Sequence, residues 1–245
     1  MDQLSARKWL ARWDAQQERY IAHREERFAV IGDVLAQATS TVAEPLIVDL
    51  GCGPGSLSAR IAERLPAAEI IGMDMDPLLL ALARSGYRHV TRFVEADLRL
   101  PGWTDLLGLD RKLDAAMSTT ALHYFPASLL AGLYRQLAHV MRPGAVFVNA
   151  DNLYDEQPSI AELAAVVRRG RSRLDNEDWG SWWRAVEADP ALADLLSERT
   201  RKIGEGGQDH HLSVREHTEL LHEAGFREIG TVWQTGDDVV LVAVR

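Results

Sequence analysis

The sequence predicts an α/β fold in which helices cover both faces of a mainly parallel β-sheet. Short apolar stretches typical of buried strands alternate with helical stretches between Glu44 and Ala150. The first apolar stretch, at 45–50, ends in a glycine-rich turn that leads directly into a helix beginning at Ser56. Strands that alternate with helices in this way form a parallel sheet, and its ligands bind at the carboxyl ends of the strands.

Length, composition and charge limit the class of protein. The chain has 245 residues, 47% hydrophobic and 26% charged, which is typical of a folded protein of one or two domains. A net charge of −9 disfavours binding to nucleic acid or to an anionic membrane. The single cysteine, Cys52, cannot form an intramolecular disulfide or a thiolate zinc site. Because no apolar stretch is long enough for a membrane span or a signal peptide, we expect a cytoplasmic protein.

The alternating region contains the first five expected strands. They lie at 45–50, 69–73, 90–94, 113–117 and 145–150. A helix at 56–65 follows the first strand, and Asp76-Pro77 provides an N-cap and a first-turn proline for the helix after the second strand. Another helix is expected from Pro126 to about Met141, where Arg142-Pro143-Gly144 would end it.

Two helical regions lie outside this alternation. The stretch 4–37 has apolar and aromatic residues at helical spacing, which predicts two N-terminal helices. The stretch 152–211 also has a helical pattern, with helices expected near 159–169, 179–188 and 192–202. Because it falls between the fifth strand and the last helix, we expect it to form a cap over the ligand end of the sheet.

The C-terminal region is expected to complete the sheet. Ser213 and Glu216 form a capping-box pattern that predicts the start of the last helix. Strands at 226–233 and 239–244, joined by the turn Gly236-Asp237-Asp238, would then form a hairpin at the sheet edge. We therefore expect one domain in these parts: a helical lid at 1–43, a core at 44–151, a cap at 152–211, and a final helix and hairpin at 212–245.

The glycine-rich turn distinguishes between two kinds of ligand. Glycines tolerate a positive φ and let a ligand approach the backbone. The dinucleotide fingerprint is G-x-G-x-x-G, whereas this turn reads Gly51-Cys52-Gly53-Pro54-Gly55 and has Ser56 in the position of the last fingerprint glycine. Asp49, two residues before the first glycine, would repel a pyrophosphate. It suits a ligand that carries an ammonium group, such as the methionine part of S-adenosylmethionine (SAM).

Acidic residues after the next two strands suit the rest of such a ligand. Asp74 closes the second strand, where a carboxylate can accept hydrogen bonds from both ribose hydroxyls, and Met75 can pack on an adenine face. Asp97 follows the third strand and can accept from an exocyclic amine, while the backbone N–H of Leu98 can reach a ring nitrogen. The alternative is that Asp74 and Asp97 are ordinary turn and capping residues.

These motifs resemble the ordered motifs of the class I SAM-dependent methyltransferases. The matching stretches are 48–55, Gly72-Met73-Asp74, Glu95-Ala96-Asp97, 113–118 and 137–148. The resemblance covers residues 44–151, and it depends on the whole ordered set because each motif alone is weak. It implies a seven-stranded, doubly wound sheet with an antiparallel last strand, which the C-terminal hairpin would supply.

The resemblance also implies SAM as cofactor and S-adenosylhomocysteine as product. By position, Asp49 and Gly51 border the methionine moiety, and Ser118 occupies the backbone position beside the methionine end. The loop residues Cys52 and Gly53 are expected to line the same site. Asp74 and the pair Asp97-Leu98 keep the ribose and adenine roles given above.

The acceptor side is less defined by the sequence. His123 lies in the loop after the fourth strand, which faces the methyl group in the family. Because its ring titrates near neutrality, it is a candidate general base. The alternative is a histidine packed under the next helix. Tyr20 lies at helical spacing with Trp13 and Arg24, and we interpret it as a lid residue with a tentative catalytic role. The alternative is that Tyr20 and Trp13 only pack against neighbouring helices.

The cap offers candidate acceptor contacts. Trp179, Trp182 and Trp183 can wall an apolar pocket or form part of the core. Of the adjacent histidines, His211 is the tentative acceptor contact, with Trp183. The basic cluster at 168–173 is typical of a solvated helix face, although it can also contact an acidic substrate.

The sequence thus predicts a methyltransferase that acts on a small molecule by in-line displacement and needs no metal. The nucleophilic atom of the acceptor stays open between oxygen, nitrogen and carbon. Two alternatives also stay open: a nicotinamide-dependent oxidoreductase, and a protein that binds SAM without turnover. The expected partners are the acceptor alone, without nucleic acid or membrane, in a monomer or homodimer.

Overall fold

A seven-stranded sheet forms the centre of the structure, a computed structural model that describes residues 1–173, 175–203 and 208–245. In chain order the strands are β1 Leu46–Leu50, β2 Glu69–Asp74, β3 Arg92–Glu95, β4 Leu113–Thr119, β5 Met141–Asn152, β6 Glu228–Thr235 and β7 Asp238–Val244. Their spatial order is β3-β2-β1-β4-β5-β7-β6. The first five strands are parallel, and β7 runs antiparallel to both β5 and β6. The predicted fold class is therefore confirmed.

Helices cover both faces of this sheet. In chain order they are α1 Gln3–Gln17, α2 Arg24–Ala38, α3 Ser56–Arg64, α4 Pro77–Gly86, α5 Ala127–Val140, α6 Pro158–Arg169, α7 Trp179–Glu187, α8 Ala193–Ile203 and α9 Val214–Ala224. The Asp76 carboxylate accepts from the first backbone N–H groups of α4, as its N-cap position predicted. The capping box of Ser213 and Glu216 is present at α9.

The core lies in layers on the two sides of the sheet. β1 is buried along its whole length, as expected for a central parallel strand. One layer joins the sheet to α5 and α9, and the other joins it to α2 and α3. A further apolar cluster joins α1, α4 and α7 through Trp9, Trp13, Leu82 and Trp182. The lid and cap helices therefore pack on each other. Residues 174 and 204–207 of the expected cap lie outside the described residues.

Three elements differ from the sequence expectation. α5 ends at Val140, close to where Arg142-Pro143-Gly144 predicted, but these three residues lie within β5 instead of before it. The pairing shifts there, from Leu113 with Met141 to Ala115 with Val146, so these residues form a bulge. The Arg142 guanidinium donates to the Asp114 carboxylate at 2.7 Å, which stabilises the extra residues. β4 also extends to Thr119, and Asp238 begins β7 instead of closing the turn.

Tyr20 is not on a helix, so that part of the lid prediction is wrong. α1 ends at Gln17, and residues 18–23 form the turn that leads into α2. The turn closes at His23, whose φ of 51° lies in the left-handed region. The chain changes direction here because α1 packs on α4, whereas α2 packs on α3 and the sheet.

Among the described residues, no helix combines the length and apolar character that crossing a bilayer requires.

Candidate active site

Side chains singled out from the sequence lie along the carboxyl edge of the parallel strands. Asp49 and Ser118 lie near the ends of β1 and β4, Asp74 closes β2, and Asp97 follows β3 by two residues. Asp49 pairs in register with residues of both β2 and β4, and Asp74 pairs with Glu95 of β3. The sheet therefore brings these residues to one edge, as the strand pattern predicted.

The glycine loop is compact and its conformation requires glycine. Gly51, Gly53 and Gly55 have φ values of 69°, 54° and 83°, which L side chains rarely adopt. A Cβ on Gly51 would lie 2.5 Å from the Cβ of Ala121, in the loop after β4. The backbone N–H of Gly53 donates to the Asp74 carboxylate at 2.8 Å. The loops after β1 and β4 thus pack directly on each other.

Asp49 has a free carboxylate oxygen in a buried position. One oxygen accepts from the Ser58 hydroxyl at 2.6 Å, and among the described residues the other, Oδ1, has no hydrogen-bond partner. Burial raises the pKa of Asp49 to about 7. A buried carboxylate with an unused oxygen beside a glycine loop fits the ammonium group of SAM, because a cation there would compensate its charge.

The carboxylates of Asp74 and Asp97 differ in their hydrogen-bond partners. Asp74 accepts backbone N–H groups of Gly53 and Asp76 at 2.8 Å each, and burial raises its pKa to about 6. Asp97 forms a bidentate ion pair with Arg99 at 2.8 and 2.7 Å, and this hydrogen bonding lowers its pKa. Binding of adenine by Asp97 would therefore compete with Arg99 or include it.

The remaining cofactor candidates lie around this edge. Ser118 is buried and donates its hydroxyl to the Leu50 carbonyl at 2.7 Å, so its backbone is the part left for a ligand. Cys52 is a buried free thiol, and burial raises its pKa well above the usual value. Leu98 is buried in the core, and Met75 is half-buried.

The N-terminal helix α1 lies over the glycine loop. An atom of the Trp13 ring lies 4.0 Å from the position of a Cβ on Gly53, and the Trp13 ring packs on Trp179 and Trp182 of α7 at 5.3 and 5.0 Å. Asp14 accepts from the Ser56 hydroxyl, at the start of α3, at 2.7 Å. Sequence reasoning missed Asp14, because its partner is distant in the chain.

Tyr20 connects the lid with the cap. Its hydroxyl accepts from the backbone N–H of Trp179 at 2.9 Å, and its carbonyl accepts from Arg168. Arg168, from the basic cluster, also pairs with Asp237 in the hairpin turn at 2.6 Å. Arg168 therefore fixes α6 to the rest of the molecule instead of forming part of a solvated face.

On the acceptor side, His123 forms an ion pair with Asp151. His123 Nδ1 lies 2.7 Å from one oxygen of Asp151 near the end of β5, and the other oxygen accepts the backbone N–H groups of Leu122 and His123 at 3.1 Å. This geometry fixes the ring and leaves Nε2 for a ligand. Among the described residues Nε2 has no hydrogen-bond partner.

Both partners of this pair are buried, and their charges stabilise each other. Burial alone lowers the pKa of His123, but the charges of Asp151 and Asp209 outweigh it, so the pKa lies above the usual value. Burial alone raises the pKa of Asp151, but His123 and Arg27 hold it below the usual value. The sequence placed Asp151 at the end of the core without a role. The sequence feature that could have identified Asp151 is its position: it is a carboxylate near the end of β5, the strand that pairs with β4.

A cleft of about 520 Å³ opens beside this pair. It is lined by Tyr124, Trp179, Trp183, Glu187, Leu196, Arg199 and Thr200. The Tyr124 ring lies 4.0 Å from the His123 ring, which connects the cleft with the ion pair. The Arg199 guanidinium stacks on Trp183 at 4.0 Å, and its Nε donates to Asp76 at 2.6 Å. Trp183 thus lines a cavity, whereas Trp182 is fully buried.

His211 lies close to the ion pair but outside the lining of that cleft. The backbone N–H of the neighbouring His210 donates to the His123 carbonyl at 2.9 Å. The His211 ring packs on Tyr154 at 4.4 Å, and its φ of 50° lies in the left-handed region. In the part of the chain that the structure describes, no three His, Cys, Asp or Glu side chains are grouped so as to hold a metal ion.

Comparisons with known proteins agree with this geometry. A family model described as a methyltransferase domain matches residues 47–144. A trans-aconitate 2-methyltransferase from Azoarcus sp. (strain BH72) is 32% identical over 203 residues, covering 78% of this chain and 70% of that protein. An enzyme of the same name from Methylobacterium nodulans is 36% identical, covering 72% of this chain and 69% of that protein.

A solved structure supports the fold. Human N-acetylserotonin methyltransferase, crystallised in complex with SAM, is 21% identical and superposes with a TM-score of 0.53. The match covers 89% of this chain but only 52% of the human chain. The ordered motifs, the seven-stranded sheet and the similarity to these relatives lead to one assignment and exclude the nicotinamide-dependent alternative. The chain belongs to the class I SAM-dependent methyltransferases.

Proposed function

We propose that this methyltransferase transfers the methyl group of SAM to a small carboxylate-bearing acceptor held beside the His123–Asp151 pair. The observation that carries the proposal is this buried ion pair, because it fixes a histidine with one free ring nitrogen at the edge where the cofactor residues end. The name of the relatives, trans-aconitate 2-methyltransferase, supports a carboxylate as the acceptor group.

The residues proposed to hold the cofactor follow the strand ends. Asp49 would bind the ammonium group, Asp74 the ribose hydroxyls, and Asp97 with the Leu98 backbone the adenine. Gly51, Cys52, Gly53, Met75 and Ser118 would complete the walls. SAM supplies a methyl group that is already activated on a positively charged sulfur. No metal is needed for this chemistry, and positioning can provide much of the acceleration.

His123 has two possible tasks, which differ in its protonation state. A carboxylate acceptor has no proton to lose, so a protonated His123 would hold it through a charge-assisted hydrogen bond from Nε2. A hydroxyl or amine acceptor must lose a proton, and a neutral His123 would remove it. The raised pKa of His123 favours the first task, because it keeps more of the ring protonated near neutrality.

The cleft beside Tyr124 would hold the rest of the acceptor. Trp183 and Tyr124 offer aromatic faces to a planar molecule, and Arg199 offers a cation to a second carboxylate. His211 would contact the acceptor from the segment before α9. The net charge of −9 supports a small acceptor over a nucleic acid. We treat the chain as one domain, with residues 1–43 as lid and 152–211 as cap over this site.

The pH dependence of turnover tests the proposal. Purified enzyme is supplied with SAM and trans-aconitate, or with matched phenols and amines, and S-adenosylhomocysteine formation is measured between pH 5.5 and 9. We expect turnover of trans-aconitate that falls as the pH rises through the pKa of His123. Turnover confined to phenols or amines, rising with pH, would contradict the carboxylate acceptor. Wild-type turnover by His123→Ala would contradict the role of the ion pair.

A further inference from the structure

Arg27 is a fully buried cation that joins separate parts of the fold. It lies on α2, and its side chain has no exposed surface. One terminal nitrogen donates to Asp238 at 2.6 Å, at the start of β7. The other donates to the hydroxyls of Thr119 and Thr120 at 2.7 Å each, at the end of β4. A guanidinium can make all these hydrogen bonds at once because its donors form a planar fork.

The threonines that Arg27 binds begin the loop that carries His123. Thr120 has a φ of 53°, an unfavourable conformation for a β-branched residue. Its backbone N–H donates to the Ala150 carbonyl at 2.9 Å, next to Asp151. Such a conformation persists only where the surroundings hold it. The hydrogen bonds from Arg27 therefore help to fix the direction in which this loop leaves β4.

Arg27 also belongs to the buried charges around the ion pair. Asp238 pairs in register with Asn152, so it lies on the strand next to Asp151. Arg27, Asp151 and Asp238 have no exposed surface, and the His123 side chain is only 10% exposed. With His123 neutral, this group of four has one net negative charge, and protonation of His123 makes it neutral. A buried group of charges favours the neutral total.

Other ionisable groups face the same cluster. The charge of Asp209 and the phenol of Tyr124 lie near His123. Tyr134 and His217 are hydrogen-bonded to each other at 2.7 Å, and the charge of Asp151 acts to raise the pKa of both groups. Arg168 acts on Asp238 from the hairpin side. Of the cations, Arg27 acts on both members of the ion pair.

We propose that Arg27 is a positioning residue for methyl transfer, which fixes the Thr119–Thr120 turn and places a buried positive charge close to the His123–Asp151 pair. The proposal rests on the proposed role of the His123–Asp151 pair. It adds that a lid helix distant in sequence acts on both the direction of the loop and the protonation of its histidine.

The titration of His123 tests the electrostatic part independently of turnover. The imidazole is followed by NMR in wild type and in Arg27→Gln, with assignment from His123→Ala. Since the positive charge of Arg27 opposes protonation, we expect the midpoint in Arg27→Gln to lie above the wild-type midpoint. Arg27→Lys, which keeps the charge, should titrate close to wild type. An unchanged midpoint in Arg27→Gln would overturn the electrostatic role.

The positioning part is tested with both charges removed. The double variant Arg27→Gln, Asp238→Asn leaves no uncompensated buried charge, so it stays folded even if Arg27→Gln does not. Its His123 midpoint should return towards wild type, because the total charge of the cluster is restored. Its kcat should still fall by about tenfold or more, because the threonines have lost their partner. Wild-type kcat in the double variant would overturn the positioning role.

A matched control lies on the same hairpin. Gln234→Ala removes the side-chain hydrogen bond to the Gly236 carbonyl in the hairpin turn, without touching β4 or the charges around His123. It should leave the His123 midpoint and the activity close to wild type, and an equal loss in this variant would mean that any damage to the hairpin has the same effect. If the wild type neither binds SAM nor transfers methyl, the proposed function fails, whereas the NMR titration still decides the electrostatic role of Arg27.

Discussion

The two sides of the proposed active site are built from residues at very different distances in the chain. On the cofactor side, each residue lies at the end of its own strand, within a motif of a few residues. On the acceptor side, His123 meets Asp151 from 28 residues away, and Arg27 meets Asp238 from 211 residues away. Local motifs can be read from a sequence, whereas contacts of the second kind exist only after the sheet has formed.

The largest expected effect is on the acceptor side. Asp151→Asn removes the charge that keeps His123 protonated and weakens the hydrogen bond that orients its ring. We expect kcat to fall by about 100-fold or more, the range of a misplaced acceptor, while the Kd for SAM stays within about twofold. Steady-state kinetics and calorimetry measure the two quantities.

A surface carboxylate soon after Asp151 provides the control for that variant. Asp155 is exposed, so Asp155→Asn should leave both quantities unchanged. If Asp151→Asn weakens SAM binding as much as it slows turnover, the two sides are not separate and the comparison fails.

The next effect is confined to the cofactor side. Asp74→Ala removes the acceptor proposed for the ribose hydroxyls and the partner of the Gly53 N–H. We expect SAM binding to weaken by about 1.5–3 kcal/mol, the cost of a hydrogen bond to a charged group. Calorimetry measures it, with Glu69→Ala at the other end of β2 as the control. Unchanged affinity in Asp74→Ala would reject the ribose role.

The smallest effect is the pH dependence of SAM binding. Asp49 has a raised pKa of about 7 in the free protein, so at pH 6 most of its carboxyl groups are protonated. The proposed contact with the ammonium group needs the ionised form, so affinity should rise about tenfold from pH 6 to pH 8, with proton release on binding. Asp49→Asn should abolish this dependence.

Buffers with different ionisation enthalpies report the proton release directly. A wild-type affinity that is flat with pH would remove Asp49 from the ammonium site. It would not change the proposal for the acceptor side, because the pKa of His123 depends on Asp151 and Asp209 and not on Asp49.

The sequence predicted the sheet, its order of strands and helices, and the cofactor edge, because strand ends and caps are local signals. It failed at Tyr20, where helical spacing continued through a turn that packing imposes. At Arg142-Pro143-Gly144 it predicted the end of the helix but not the bulge inside β5, where Arg142 binds Asp114. Asp151 and Arg27 were missed because burial and distant partners, which define their roles, leave no pattern in the chain.

The cap helix α8 has a thermodynamic consequence. Its Arg199 lines the cleft and also binds Asp76, whose backbone N–H donates to Asp74. Lys202 of the same helix pairs with Glu95, the last residue of β3. Any movement of α8 would therefore disturb the cofactor edge as well as the cleft. Because linkage is reciprocal, whatever factor the acceptor adds to the affinity for SAM must be returned by SAM to the affinity for the acceptor.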